Sequence, residues 1–269
     1  MGVVSRFLVC APDYFSIDYE INPWMRRKNE VDPGRAPEQW QGLVRVLEQE
    51  AGAILERLDP VPGLPDLVFT ANAGVVQGRR VVVSRFRHPE RQREEIHFET
   101  WFRAQGYDVV LLERGLFFEG AGDLLGFPDT WFGGYRQRSD IRAYPVLGEI
   151  FQREIIPLEL IDSRFYHLDT CFCPLSGGEL LYYPPAFDHY AQAAIVERVP
   201  SSSRLVVPES DALKFACNAV CVGKHVVLPT GCETTEGLLR ERGYLLHPTL
   251  LDEFLKSGGS AKCLTLALD

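Results

Sequence analysis

Long apolar runs are missing from this sequence. No stretch approaches the roughly 18 apolar residues a membrane-crossing helix needs. The N-terminal stretch Met1-Gly-Val-Val-Ser-Arg-Phe-Leu-Val-Cys10 is too short for a signal peptide and is soon followed by Asp13. Met1-Gly2 does not continue into an acylation signal, because Phe7 to Cys10 reads as a buried strand. An excess of positive charge is missing too. The formal net charge of −9 argues against nonspecific binding to nucleic acid or to an anionic membrane. A small anionic or zwitterionic substrate stays compatible, because it sees only local charge. The third absence is disulfide density. Seven cysteines are an odd number and too sparse for a framework, so reduced thiols and a cytoplasmic location are expected. Cys171-Phe-Cys173 and Cys217-Asn-Ala-Val-Cys221 invite a metal reading. Neither spacing is that of a zinc ribbon, and the second pair falls in an apolar run, so no metal is expected.

What remains is an ordinary globular composition. With 46% hydrophobic and 24% charged residues, 269 residues can bury a full core, as one large domain or two smaller ones. Arg6 to Ala11 reads as a strand, followed by an aromatic-rich loop from Asp13 to Asp32 that either lines a site or packs over the core. Pro37 opens a helix expected to run from Glu38 to Leu58, with Trp40, Leu43, Val44, Leu47, Ala51, Ile54 and Leu58 apolar. A turn-rich connector then reaches Pro65.

Beyond it a unit recurs: strand, tight turn, strand, helix, strand. In the first copy the strands are expected at Ala73 to Val76, Arg80 to Ser84 and Asp108 to Leu112, with a helix from Glu94 to Gln105. Further copies open near Asp123, Asp169 and Asn218, and a truncated fifth opens at Cys263. The polar residue opening each hairpin falls at 72, 123, 169, 218 and 263, at intervals of 51, 46, 49 and 45. Such a quasi-period fits propeller-like arrays. The N-terminal strand, loop and helix can complete the fifth unit, closing a ring that leaves no open edge. The expected fold is therefore α/β, a five-bladed α/β propeller forming one domain over residues 1–269, with both termini in the closing blade. An open sheet of βαβ units is the alternative, and hairpins opening each repeat fit it poorly.

In a ring of repeats, equivalent positions face one another. Here these are Asn72, Asp123, Asp169, Asn218 and Cys263, with Asp66, Glu119 and His167 close by. Asn and Asp at strand starts are ordinary turn caps. That account does not cover Cys263, or His167 two residues before Asp169. Cys263 follows Ser257-Gly-Gly-Ser-Ala-Lys262 and leads into an apolar run, so it is expected at the first position of a buried strand. On that stretch alone a structural thiol is the plainer reading; Lys262 beside it would favour the nucleophilic thiolate.

Asp66-Leu-Val-Phe-Thr-Ala-Asn72, Phe118-Glu-Gly-Ala-Gly-Asp123, His167-Leu-Asp-Thr170 and the late glycine-rich Cys263 resemble the guanidino-group-modifying superfamily. This family of arginine deiminases, dimethylarginine dimethylaminohydrolases, amidinotransferases and arginine dihydrolases has the five-bladed propeller fold. The resemblance covers essentially the whole chain. It implies Cys263 as the nucleophile on the guanidinium carbon, His167 as the general acid/base, and Glu119 and Asp169 as carboxylates gripping the guanidinium. It implies Asp66 near the substrate's inner nitrogen or amino end, and Arg91 and Arg138 at its α-carboxylate. Arg136 and Arg142 compete with Arg138 for that place, and an exposed basic loop is the plain reading of Arg91. Phe69, inside the first motif, is implied as a further substrate contact.

One departure is informative. Deiminases and dimethylarginine hydrolases usually carry aspartate where Asn72 stands; asparagine resembles the dihydrolases. An amide both donates and accepts, so it suits a neutral ureido intermediate. Retaining that intermediate permits a second attack and gives ornithine, carbon dioxide and two ammonia. The segment Ile21-Asn-Pro-Trp-Met25 also resembles the free-arginine dihydrolases and makes Asn22 a substrate-contact candidate. Those relatives often carry a further C-terminal region. The expectation is a cofactor-free, metal-free hydrolase of L-arginine or a close derivative, with self-association left open. A one-step deiminase or dimethylarginine hydrolase is the alternative, and a non-catalytic amino-acid-binding module the second.

Overall fold

Short apolar runs build the hairpins where the repeat places them, and a third strand joins each. The computed structural model describes residues 5–127 and 130–268; the Met1-Gly2 reading lies outside them. The strands are β1 Arg6–Cys10, β2 Ile54–Leu58, β3 Gly74–Gln77, β4 Arg80–Val83, β5 Asp108–Leu111, β6 Leu124–Gly126, β7 Trp131–Tyr135 and β8 Ile155–Glu159. They continue with β9 Phe172–Pro174, β10 Leu180–Tyr182, β11 Arg204–Val206, β12 Val220–Val222, β13 His225–Pro229, β14 Leu245–Thr249 and β15 Leu266–Ala267. The helices are α1 Arg35–Arg45, α2 Pro89–Gln92, α3 Glu95–Ala104, α4 Ala143–Phe151, α5 His189–Arg198, α6 Glu209–Ala212, α7 Glu233–Glu241 and α8 Asp252–Leu255. No helix among the described residues is long and apolar enough to cross a membrane.

The fold is mixed α/β, with five three-stranded sheets instead of one continuous parallel sheet. In β3-β4-β5, Val75 faces Val82 antiparallel and Val82 faces Val110 parallel. The same antiparallel-then-parallel order repeats in β6-β7-β8, β9-β10-β11 and β12-β13-β14. The hairpin turn gives the antiparallel pair, and the helix crossover gives the parallel one. Middle strands are flanked on both sides, so Val81, Val82 and Val83 are fully buried. The fifth sheet joins the two ends of the chain: β15 pairs antiparallel with β1, which pairs parallel with β2.

Two expectations are corrected. The helix anticipated from Glu38 to Leu58 is α1 followed by a π-helical turn at Val46–Glu50, and residues Ile54–Leu58 are strand β2. Gly52 takes a left-handed φ of 70°, which ends the helix. Beyond it Leu55 and Leu58 are buried while Ile54 is exposed, and all five backbone units pair with Arg6–Cys10. A helix-spaced apolar pattern had concealed the strand that completes the fifth sheet.

Cys263, in turn, does not begin a strand. It lies in a helical turn over residues 261–264, and β15 starts at Leu266. The Leu264 N–H donates to Ser260 O at 3.2 Å, and the Thr265 N–H donates to Lys262 O at 3.1 Å. In three other copies a short 3₁₀ turn precedes the hairpin in the same way: Thr70–Ala73, Gly120–Gly122 and Leu168–Thr170. The chemistry-bearing residues therefore sit on or beside compact turns, whose backbone bonds are closed locally. Beneath them, Cys171, Cys173 and Cys217 belong to one hydrophobic cluster with Phe132, Phe172 and Val226. All seven cysteines are free.

Candidate active site

The turns bring nine of the ten candidate residues into burial; Asn22 alone is half-buried. They form three linked groups.

The first holds the thiol. Cys263 Sγ accepts from Asn218 Nδ2 at 3.0 Å and lies 3.6 Å from Asp169 Oδ2, to which the thiol donates. Asn218 Oδ1 accepts from the backbone N–H groups of Ser260 and Cys263, both at 3.1 Å, and its Nδ2 also donates to Asp169 O. One amide thus fixes the glycine-rich loop, the nucleophile candidate and the neighbouring turn. Burial pushes the thiol well above its ordinary value, and Asp169 adds to this. Lys262 lowers it, as its place in the sequence suggested, but is outweighed. Asp169 is itself pushed up to about 7 by burial, against the pull of Lys262. The raised value favours the protonated thiol.

The glycine-rich approach has a steric reason. A side chain at Gly259 would come within 2.4 Å of the Phe69 ring, so only glycine lets the loop lie on it. Phe69 in turn meets Phe15 edge-on at 5.6 Å, and Phe15 stacks on Phe254 at 5.0 Å. This aromatic wedge belongs to the same hydrophobic cluster as Cys263.

The second group is His167, Glu119 and Arg138. Glu119 Oε2 lies 2.8 Å from His167 Nε2 and 2.9 Å from Arg138 Nη1. Its Oε1 accepts from the Arg87 N–H at 3.2 Å. Burial alone would raise Glu119, but Arg138 and His167 hold it well below the usual carboxylate range. An ionised carboxylate only accepts, so the imidazole proton sits on Nε2. Burial pulls His167 down to about 4, against the pull of Glu119. The ring is therefore neutral and can act as a base. Arg138 also donates to Ile21 O at 3.1 Å and lies 4.7 Å over the Tyr166 ring. Its competitors are engaged elsewhere, Arg136 with Glu159 and Arg142 with Asp140.

The third group surrounds Arg91, which is buried at 3% exposure and not on an exposed loop. It gives Nε and Nη2 to the two carboxylate oxygens of Glu94 at 2.9 and 2.8 Å, Nη1 to Asn72 Oδ1 at 2.8 Å, and Nη2 to Asp66 O at 3.1 Å. Asn72 Nδ2 donates to Glu119 O at 3.2 Å, which joins this group to the second. The buried Asp66 carboxyl and the Tyr19 hydroxyl are neighbours that interact with each other. Burial raises the Asp66 carboxyl despite Arg91. Asn22 is a brace: its Oδ1 accepts from the Trp24 and Met25 N–H groups, and its Nδ2 donates to Ser257 O at 3.0 Å. It ties the aromatic loop to the loop before Cys263. Trp24 seats that loop further, meeting Phe215 edge-on at 4.9 Å and donating to Arg164 O.

Two supporting residues carried no assigned role in the sequence reading. Asn218 stood among the five equivalent positions, so its repeat phase was visible and its contacts were not. Glu94 looked like an acidic residue at a helix start, and nothing local distinguishes it from a solvated one.

No protein-family profile matches the chain. Individual relatives do. The chain is 38% identical over 263 residues to the N(G),N(G)-dimethylarginine dimethylaminohydrolase of Mycobacterium tuberculosis, covering 98% of this chain and 85% of that protein. This chain belongs to the guanidino-group-modifying superfamily. It is also 48% identical over 264 residues to the bifunctional arginine dihydrolase/ornithine cyclodeaminase ArgZ of Synechocystis, covering 97% of this chain. It spans only 37% of ArgZ's length. Among solved structures, the N-terminal domain of ArgZ, a cysteine-to-serine variant bound to substrate, superposes with a TM-score of 0.95 at 47% identity over 98% of each chain. An asparagine-to-serine variant of that domain is covalently bonded to a reaction intermediate.

Proposed function

We propose that this chain is an arginine dihydrolase domain, converting L-arginine and two waters to L-ornithine, carbon dioxide and two ammonia. The observation that carries the reading is the buried Cys263 thiol, 3.6 Å from Asp169, in a site where carboxylates outnumber cations. Asp66, Glu94, Glu119 and Asp169 face Arg91, Arg138 and Lys262, and burial leaves all of these carboxyls but Glu119 raised, so an arriving cation favours their ionised forms. A cationic guanidinium and an ammonium fit that imbalance, and an anion does not. The likeness to the ArgZ domain supports the same substrate.

In this reading Glu119 and Asp169 hold the planar guanidinium, with Asp66 at the amino end, Arg138 and Arg91 toward the α-carboxylate, and Phe69 and Asn22 shaping the walls. The arriving cation lowers the cost of a thiolate, so with substrate in place Cys263 gives its proton to the neutral His167 ring and its sulfur attacks the guanidinium carbon. His167 protonates the departing nitrogen, which leaves as ammonia, and then activates water to release the sulfur. The ureido intermediate stays, because Asn72 offers an amide where an aspartate would repel a carbonyl oxygen. A second round cleaves it to ornithine, carbon dioxide and ammonia. We further infer that the five sheets close as a five-bladed α/β propeller forming one domain. The pairing of β15 with β1 supports this, because it joins both ends of the chain in one sheet.

The deciding experiment is the product profile with arginine. Ornithine with two equivalents of ammonia is expected; citrulline accumulating without ornithine would refute the two-step claim. Methylated arginines as the better substrates would favour a dimethylaminohydrolase instead.

A further inference from the structure

We propose that Glu94 is a positioning residue for the second hydrolysis, acting through Arg91 to fix which end of the Asn72 amide faces the reaction centre. The proposal rests on the two-step reading. Glu94 is fully buried at the start of α3 and takes two parallel donations from Arg91, at 2.9 and 2.8 Å. A bidentate guanidinium–carboxylate pair fixes the plane of the guanidinium as well as its position. The third edge of that plane then points Nη1 at Asn72 Oδ1, 2.8 Å away.

The two ends of an asparagine amide are almost the same shape, so only hydrogen-bond partners distinguish them. Here both partners agree. Oδ1 meets the Arg91 donor, and Nδ2 meets the Glu119 carbonyl at 3.2 Å. A flipped amide would set donor against donor and acceptor against acceptor, all buried. Gly122 leaves the room this amide needs, since a Cβ placed there would fall 2.3 Å from Nδ2. Of the two Nδ2 hydrogens one serves Glu119 O, and the second has no acceptor recorded among the described residues, so a bound ureido oxygen can take it.

That single N–H discriminates between the two reacting species. A guanidinium carries only donors and gains nothing from it. A ureido group carries a carbonyl oxygen that accepts it. Asn72 in this orientation therefore holds the neutral intermediate in place for Cys263, and Glu94 sets the orientation without touching substrate. With a neutral side chain at 94, Arg91 loses its charged anchor. Asp66 Oδ2, already 3.9 Å from Arg91 Nε, becomes the competing partner.

The test compares the unaltered protein with Glu94→Gln, Asn72→Ser and the double variant, measuring ornithine and citrulline released from arginine. Ornithine from the unaltered protein is expected. Glu94→Gln is expected to lower the ornithine-to-citrulline ratio on the order of tenfold, about the worth of one charge-assisted hydrogen bond. Adding Glu94→Gln to Asn72→Ser is expected to leave the ratio as in Asn72→Ser alone, because the amide through which Glu94 acts is gone. A ratio unchanged in Glu94→Gln, with only total turnover or melting temperature reduced, would overturn the proposal and leave the two-step reading standing. So would equal shifts from Glu94→Gln with and without the Asn72 amide. Citrulline alone from the unaltered protein would overturn both.

Discussion

The thiol side and the carboxylate side of the site are built on the same kind of turn, yet they rest in opposite electrostatic states. Around Glu119 the contacts are short and charged, with His167 at 2.8 Å and Arg138 at 2.9 Å, and the carboxylate is held ionised. Around Cys263 the acidic neighbour Asp169 is 3.6 Å away and pushed up to about 7, and burial favours the protonated thiol. The difference follows from partners. Glu119 has a fixed cation, so ionisation costs little. Cys263 has none strong enough; in the proposed function that cation arrives with the substrate. On that reading this contrast keeps the thiol unreactive until a guanidinium is bound.

Three changes would break or sharpen that contrast. The largest effect is expected from Cys263→Ser, which keeps the shape and removes the ionisable sulfur. Turnover should fall at least about 10³-fold while arginine binding persists, measured by steady-state kinetics and calorimetry. Full turnover by the serine variant would remove the nucleophile assignment. Asn218→Ala should come next. It strips the Ser260 and Cys263 N–H groups of their shared acceptor and the sulfur of its donor. The expected loss is roughly 1–3 kcal/mol of stability in denaturant titration and about tenfold or more in kcat. An unchanged kcat would show that the thiol needs no such support.

The smallest is a pH effect on stability at His167. Its ordinary value of 6.5 is pulled down to about 4 by burial in the folded chain. A depressed value means the folded state favours the neutral ring, so this contribution is complete above about 6.5 and is lost as pH falls through about 4. The melting temperature should therefore drop more steeply across that window than in His167→Gln. Parallel curves for the two proteins would show that the ring is not held neutral.

Much of the site was legible because the repeat made it so. Cys263 looked like a structural thiol when read with its neighbours alone, and its phase with Asn72, Asp123, Asp169 and Asn218 placed it at a site. Hairpin positions were legible for a related reason, since two short apolar runs such as Val75-Val76 and Val81 to Val83 around a Gly78 turn leave a local trace. Strand β2 was not legible. Ile54 and Leu58 stand four apart, which continues the spacing of Leu43 and Leu47, and only Gly52 and the unpaired edge of β1 convert the segment to a strand.

The sequence by itself determined which residue types recur and at what interval, and hence the units and the polar positions that open them. Turn chemistry and short apolar runs act over a few residues and leave a local trace. Only the tertiary structure decided charge state and orientation. Whether the Cys263 thiol is ionised depends on burial and on Asp169, 94 residues away. Which end of Asn72 faces the centre depends on Arg91 and on the carbonyl of Glu119. These are properties of neighbours brought together by folding, because Coulomb energy and hydrogen-bond geometry depend on distance in space and not along the chain.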